Sequence, residues 1–149
     1  IKSEYTPSVT AAPSNPGLKA TWHEFKGNKC SEIEKAPVNG TYPVEDVMIP
    51  KKVKGNIGLI IKGYFNAPQD DIYTFALLSD DGSTLTIDSE QIVDNDGPHG
   101  PKEIVGQKAL AKGYHPMELR YFDQNGGQLK LKVTGSDGKE IPFTHLYAH

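Results

Sequence analysis

Two adjacent carboxylates are the first residues in this chain that could do chemistry. Asp80 and Asp81 sit in LLSDDGSTLTID, residues 77–88, between two apolar runs. Like charges side by side repel, and a single aspartate would serve a turn as well. On an extended trans chain the two side chains point to opposite faces and can neither share a cation nor act as a catalytic pair. A cis peptide between them would let both face one side, where a hard, oxygen-seeking cation could neutralise them. A second acidic turn, DNDGPHG at 94–100, sets Asp94 and Asp96 two apart with His99 nearby. It lacks the rest of an EF-hand loop, and Asp or Asn before Gly is ordinary turn chemistry. SDGK at 136–139 reads as a plain turn.

Other chemistries find little support. The five histidines, His23, His99, His115, His145 and His149, are scattered without zinc spacing. There is no G-x-S-x-G, no P-loop and no Cys–His arrangement. Glu103 and Glu118 fall in expected strands and read as solvated, so no acid/base pair is nominated and the chain reads as non-catalytic. Trp22 lies in an alternating run and reads as core rather than as a sugar platform. The lone cysteine, Cys30, cannot form an internal disulfide. A net charge of −3 without a basic patch argues against nucleic acid and anionic membrane as partners. The apolar run Ile57–Ile61 falls far short of the ~20 residues of a membrane span.

The elements that must position these residues read as strands. A chain of 149 residues suits one domain and can bury roughly 70% of its unfolded surface. Residues 1–16 are rich in Pro, Ser and Thr and read as a linker from a preceding domain, with the domain itself spanning 17–149. The sequence begins at Ile1 without a leader and reads as a piece of a longer chain, its targeting segment elsewhere. LKATWHEF reads as a first strand, and 27–56 as a long irregular excursion with a short strand or turn near Val44–Ile49. From Ile57 on, IGLIIKGYFNA, DIYTFALLS, STLTID, EQIVDN, KEIVGQKALA, YHPMELRYF, GQLKLKVTG and KEIPFTHLY are β-rich runs separated by turn clusters. No stretch has an apolar period of 3.6. The pattern predicts an all-β, two-sheet antiparallel β-sandwich. Alternation puts Ile60, Tyr64, Tyr73, Phe75, Leu77, Leu85, Ile87, Leu119, Tyr121, Leu131 and Val133 on inward faces.

GYFNAPQDDIYTFALLSDDGSTLTIDSEQIVDNDGPHG followed by LAKGYHPMELRYFDQNGGQLKLKV resembles the PA-14 domain, the β-sandwich module named after the anthrax protective antigen. YTF-x-L-x-SDDGS-x-L-x-ID, KG-x-H-P and Y-x-D-x-x-GG-x-L-x-L carry the resemblance, which runs from about Gly17 to the C-terminus. It implies that Asp80 and Asp81 are joined by a cis peptide and chelate one calcium, with Asp123 and the backbone near Asn125 completing the metal set. It implies sugar contacts from Asp80, Asp81, Phe122, Asp123, Asn125 and His99. Two departures stand out: Asp71 replaces a usual glycine, and Asp88–Ser89 replaces a usual Asp-Gly. The variant, with its Pro-rich lead-in, is most similar to modules appended to bacterial glycosidases of the β-N-acetylhexosaminidase type. The resemblance implies a calcium-assisted glycan-binding module of a secreted, periplasmic or cell-surface enzyme, itself a monomer beside the parent's catalytic domain. The alternative is a structural spacer without a sugar site.

Overall fold

Short runs of β-branched and aromatic residues, cut by Gly, Asn and Asp turns, form strands nearly throughout. A computed structural model describes residues 5–10, 12–13, 15–124 and 127–148. Among these, helix is confined to two 3-10 segments, Cys30–Lys35 and Phe143–His145. The strands are β1 (Asn15–Pro16), β2 (Leu18–Glu24), β3 (Val38–Val44), β4 (Ile57–Ala67), β5 (Asp71–Asp80), β6 (Ser83–Ile87), β7 (Glu90–Asn95), β8 (Lys102–Leu110), β9 (Gly113–Asp123), β10 (Gln128–Thr134) and β11 (Leu146–Ala148). The larger sheet runs β1-β11-β4-β9-β6-β7, with β2 beside β4 and β3 outside β2; the smaller is β10-β5-β8. Every pairing between these strands is antiparallel. The expected two-sheet sandwich is the fold.

The core lies between the sheets. Tyr73, Phe75 and Leu77 of β5 are fully buried with Leu85, Ile87, Leu119 and Tyr121 from the larger sheet. Phe65 meets Tyr73 and Phe75 edge-on, with ring centroids 5.3 and 5.7 Å apart. Three of the expected core residues need correction. Leu131 is only half-buried, at the margin of the core. Ile60 is buried but faces outward, and Tyr64, also outward, is half-buried. In β4 it is Leu59, Ile61 and Phe65 that point inward, while Ile60 joins Phe25, Cys30, Ile33 and Phe122 in a second cluster on the outer face of the larger sheet. The Cys30–Lys35 segment covers that face. Burial holds the Cys30 thiol protonated, pushing its pKa up with help from Asp96, and its N–H donates to the Asp96 carboxylate at 3.0 Å.

Two expected irregular or continuous stretches differ. The 27–56 excursion contains the 3-10 segment and a seven-residue strand, β3, which pairs with β2. Its Gly40 and Pro43 hid it, and proline is acceptable there because β3 is an edge strand. KEIPFTHLY is not one strand: it holds an isolated bridge at Glu140, a 3-10 turn and then the short β11. The boundary expected at residue 17 is not a break in the fold. Thr6 and Val9 donate N–H bonds to Ala109 and Tyr114, and β1 pairs with β11. No helix among the described residues is long and apolar enough to cross a membrane.

Candidate functional site

At one end of the sandwich three connections meet, and each crosses between the sheets: β5 to β6, β7 to β8, and β9 to β10. The first carries Asp80–Asp81–Gly82, and the Asp80–Asp81 peptide is cis. Asp81 ties the other two loops to it. Its Oδ1 accepts the His99 N–H and its Oδ2 accepts the Gln124 N–H, both at 3.2 Å. The crossing is tight: a Cβ on Gly82 would lie 2.5 Å from the Phe122 ring and 2.8 Å from the Gly97 backbone. Glycine at 82 is therefore a steric requirement, which the turn motif alone did not reveal.

Tyr121 gathers the acidic groups. Its hydroxyl donates to the Asp80 carbonyl at 2.7 Å. Burial pushes the phenol pKa up, and the nearby carboxylates of Asp123, Asp80 and Asp81 push it further, so the group stays a donor. Asp123 is itself only 3% exposed. A Cβ at Gly127 would collide with the Asp80 carbonyl and the Tyr121 hydroxyl and come within 2.9 Å of an Asp123 oxygen. Only glycine fits that tight, oxygen-lined corner.

The sequence-derived residues divide clearly. Asp80, Asp81 and Asp123 share the neighbourhood of Tyr121. His99 reaches it through its backbone; its ring nitrogens lie 2.8 and 2.7 Å from the Asn95 and Gly100 carbonyls, within its own loop. Phe122 does not fit the sugar-contact role. It is fully buried and meets Phe25 edge-on at 5.9 Å, because strand parity turns it into the outer cluster beneath the loop. Asn125 lies outside the described residues. Reading the sequence missed Tyr121, Gln124, Gly127 and Asn95 as site residues. Tyr121 and Asp123 are two apart on one strand and share a face, a signal that was present but was spent on the core.

The donor set suits a hard cation, since every candidate ligand atom is oxygen. Beside the crossing, Asn95 is 2% exposed and its amide N–H groups reach the Leu77 and Lys102 carbonyls, leaving its Oδ1 a buried acceptor without a donor among the described residues. Among the described residues no three His, Cys, Asp or Glu side chains converge closely enough to hold a metal by themselves. A calcium shell of about six to eight oxygens would therefore draw partly on backbone carbonyls.

The PA14 domain model matches residues 14–143, and the chain belongs to that family. Solved structures agree on the fold. A PA14 sugar-binding domain from an RTX adhesin is 17% identical with a TM-score of 0.76, the match covering 91% of this chain and 100% of that one. An anti-sigma factor domain-containing protein from Clostridium clariflavum is 16% identical with a TM-score of 0.76, covering 100% of this chain but only 53% of its own. The epithelial adhesin 6 A domain from Candida glabrata, solved with Galb1-3GlcNAc, is 13% identical with a TM-score of 0.67, covering 93% of this chain and 88% of that one. Among curated proteins no sequence match is found.

Proposed function

We propose that this domain is a non-catalytic carbohydrate-binding module that recognises glycans through the Asp80–Asp81 loop with calcium. The observation that carries the reading is the Asp80–Asp81 turn itself, where the Asp81 carboxylate accepts the His99 and Gln124 N–H groups and so staples three loops together, with the buried Asp123 at the end of one of them. Two structural neighbours support it: one is a PA14 sugar-binding domain from an RTX adhesin, and the epithelial adhesin 6 A domain was solved with Galb1-3GlcNAc. Calcium bound by Asp80, Asp81, Asp123 and backbone oxygens would offer open positions to two vicinal sugar hydroxyls. The protein's part is to hold the carboxylates in place. In this reading the parent is a secreted, periplasmic or cell-surface glycoside hydrolase of the β-N-acetylhexosaminidase type, and this domain a monomeric accessory to its catalytic domain. Calorimetric titration with calcium, followed by a glycan panel with and without EDTA, tests it. Binding of neutral glycans that survives EDTA unchanged, or no glycan binding at all, refutes it.

A second reading has its own observation. A groove of about 830 Å³ lies in the 42–52 stretch, walled by Tyr42, Val44, Met48 and Pro50 together with Tyr147 of β11. An apolar wall of this kind suits packing against another domain of the parent. That would make the module a spacer or brace, with or without a sugar site.

A further inference from the structure

The outer face of the larger sheet is covered at one end by the Cys30–Lys35 segment and open at the other. On the open half a groove of about 440 Å³ crosses β2, β4, β9 and β6, within the size range of small-ligand sites. One cross-strand row supplies its floor. Lys19 stands directly opposite Lys62, Lys62 opposite Glu118, and Glu118 opposite Thr86. Like charges facing each other across strands are unfavourable. Glu118 relieves the repulsion only in part: it lies 3.4 Å from the Lys62 ammonium, and its other oxygen accepts from Arg120 at 3.2 Å. Two ammonium groups and one carboxylate leave the row with a single positive charge, on a chain whose net charge is −3. Tyr64, half-buried, brings an aromatic ring to the wall, and Ser89 brings a hydroxyl from the β6–β7 turn. Glu118 lies five residues from Asp123 along β9, roughly 17 Å at the rise of a strand, so the groove is separate from the loop site.

We propose that this groove is a second, calcium-independent saccharide site selective for an acidic sugar, a uronic-acid residue of an oligosaccharide. The single surplus charge matches one carboxylate, which would settle between Lys19 and Lys62. A pyranose ring has the amphipathic shape that an aromatic side chain takes on its apolar face. Glu118, Thr86 and Ser89 offer the mixed acceptors and donors that sugar hydroxyls need.

The test uses the whole 149-residue chain in EDTA, titrated with trigalacturonate while backbone amide shifts are followed by NMR. Shifts at Lys19, Lys62, Tyr64 and Thr86 are expected at about millimolar ligand, as befits a shallow groove. Lys62→Gln removes the surplus charge at an exposed position and is expected to weaken binding about tenfold, the scale of one charge-assisted hydrogen bond. Asp81→Asn is expected to leave it unchanged, which separates this site from the calcium loop. The proposal is overturned if trigalacturonate produces no shifts in EDTA, if neutral maltotriose binds as well, if inorganic phosphate displaces the ligand as readily as free galacturonate does, or if Lys62→Gln binds like the parent chain.

Discussion

Asp81 uses both carboxylate oxygens to hold backbone N–H groups of two other loops. An amide keeps one acceptor oxygen and turns the other into a donor, so Asp81→Asn must lose one of these clasps. The variant is expected to bind calcium at least tenfold more weakly by calorimetry, about 1.4 kcal/mol per decade, and to melt a few degrees lower even without calcium. Parent-like calcium affinity would remove Asp81 from the ligand set. Asp94→Asn is the control, because Asp94 only caps the Asp96 N–H within its own exposed turn. The doubled aspartate could be read from sequence as a candidate cation site. Its clasps could not, since His99 and Gln124 lie 18 and 43 residues away along the chain. The two departures from the family pattern also acquire reasons. Asp71 accepts the Ile72 and Ser136 N–H groups and so anchors the SDGK turn, with the Ser136 bonds holding its carboxyl below its usual pKa despite some burial. Asp88, at φ 51°, pairs at 2.7 Å with the fully buried His115, whose other nitrogen faces the Ala111 carbonyl. Burial and Lys108 oppose a charge on that ring, but Asp88 and the carbonyl outweigh them and hold its pKa above the ordinary value. A histidine that binds its proton more tightly folded than unfolded stabilises the fold at low pH and loses that contribution as pH rises through its folded pKa. The melting temperature is therefore expected to fall from about pH 6.5 upward, and Asp88→Asn to flatten the slope. A melting temperature that rises over that range would contradict the assignment.

At the scale of elements, alternation was informative where a strand has one wet face and silent where it has two dry ones. In β5 the pattern of Tyr73, Phe75 and Leu77 against half-buried Thr74, Ala76 and Leu78 gave the correct inward face. Phe75→Ala is expected to cost ~3–5 kcal/mol in chemical denaturation, and a loss below about 1 kcal/mol would contradict that packing. In β4, IGLII is buried from Ile57 to Ile61 because the Cys30–Lys35 segment covers the outer side. With both faces apolar the parity could not be read, and Ile60 and Tyr64 were placed on the wrong side. The covering segment has no periodic signal of its own, being six residues of 3-10 helix inside an irregular stretch. Its anchor is Ile33, fully buried against Phe25, Phe122 and Ile60. Ile33→Ala is expected to destabilise by ~2–5 kcal/mol. It should also loosen the floor under the Asp123 loop, since Phe122 stands between the two; faster amide exchange at Phe122 and Gln124 checks this. Unchanged exchange there would show that the two regions are mechanically separate.

For the whole molecule, what matters is that all three loops of the site are the links between the two sheets at that end: β5 leads to β6, β7 to β8, and β9 to β10. A cation held among them would tie the smaller sheet to the larger one at the point where only loops connect them. A ligand that binds the native state alone stabilises it by about 2.7 kcal/mol at a concentration one hundred times its Kd. For a domain of this length each kcal/mol moves the melting temperature by about 2–4 °C. Calcium at that saturation is therefore expected to raise the melting temperature by about 5–10 °C. The shift should be absent in Asp81→Asn at the same calcium concentration and reversible with EDTA. The location of the effect is as informative as its size. Protection against amide exchange should increase in residues 80–84, 95–100 and 121–124, and change little at the far end of the sandwich around Ala67 and Leu110. A uniform rise in protection would mean that calcium acts on a different part of the chain. No shift at a calcium concentration of several millimolar, well above the range of extracellular calcium modules, would leave the doubled aspartate as a clasp for crossing loops and make the apolar groove at 42–52 the better guide to what this domain does.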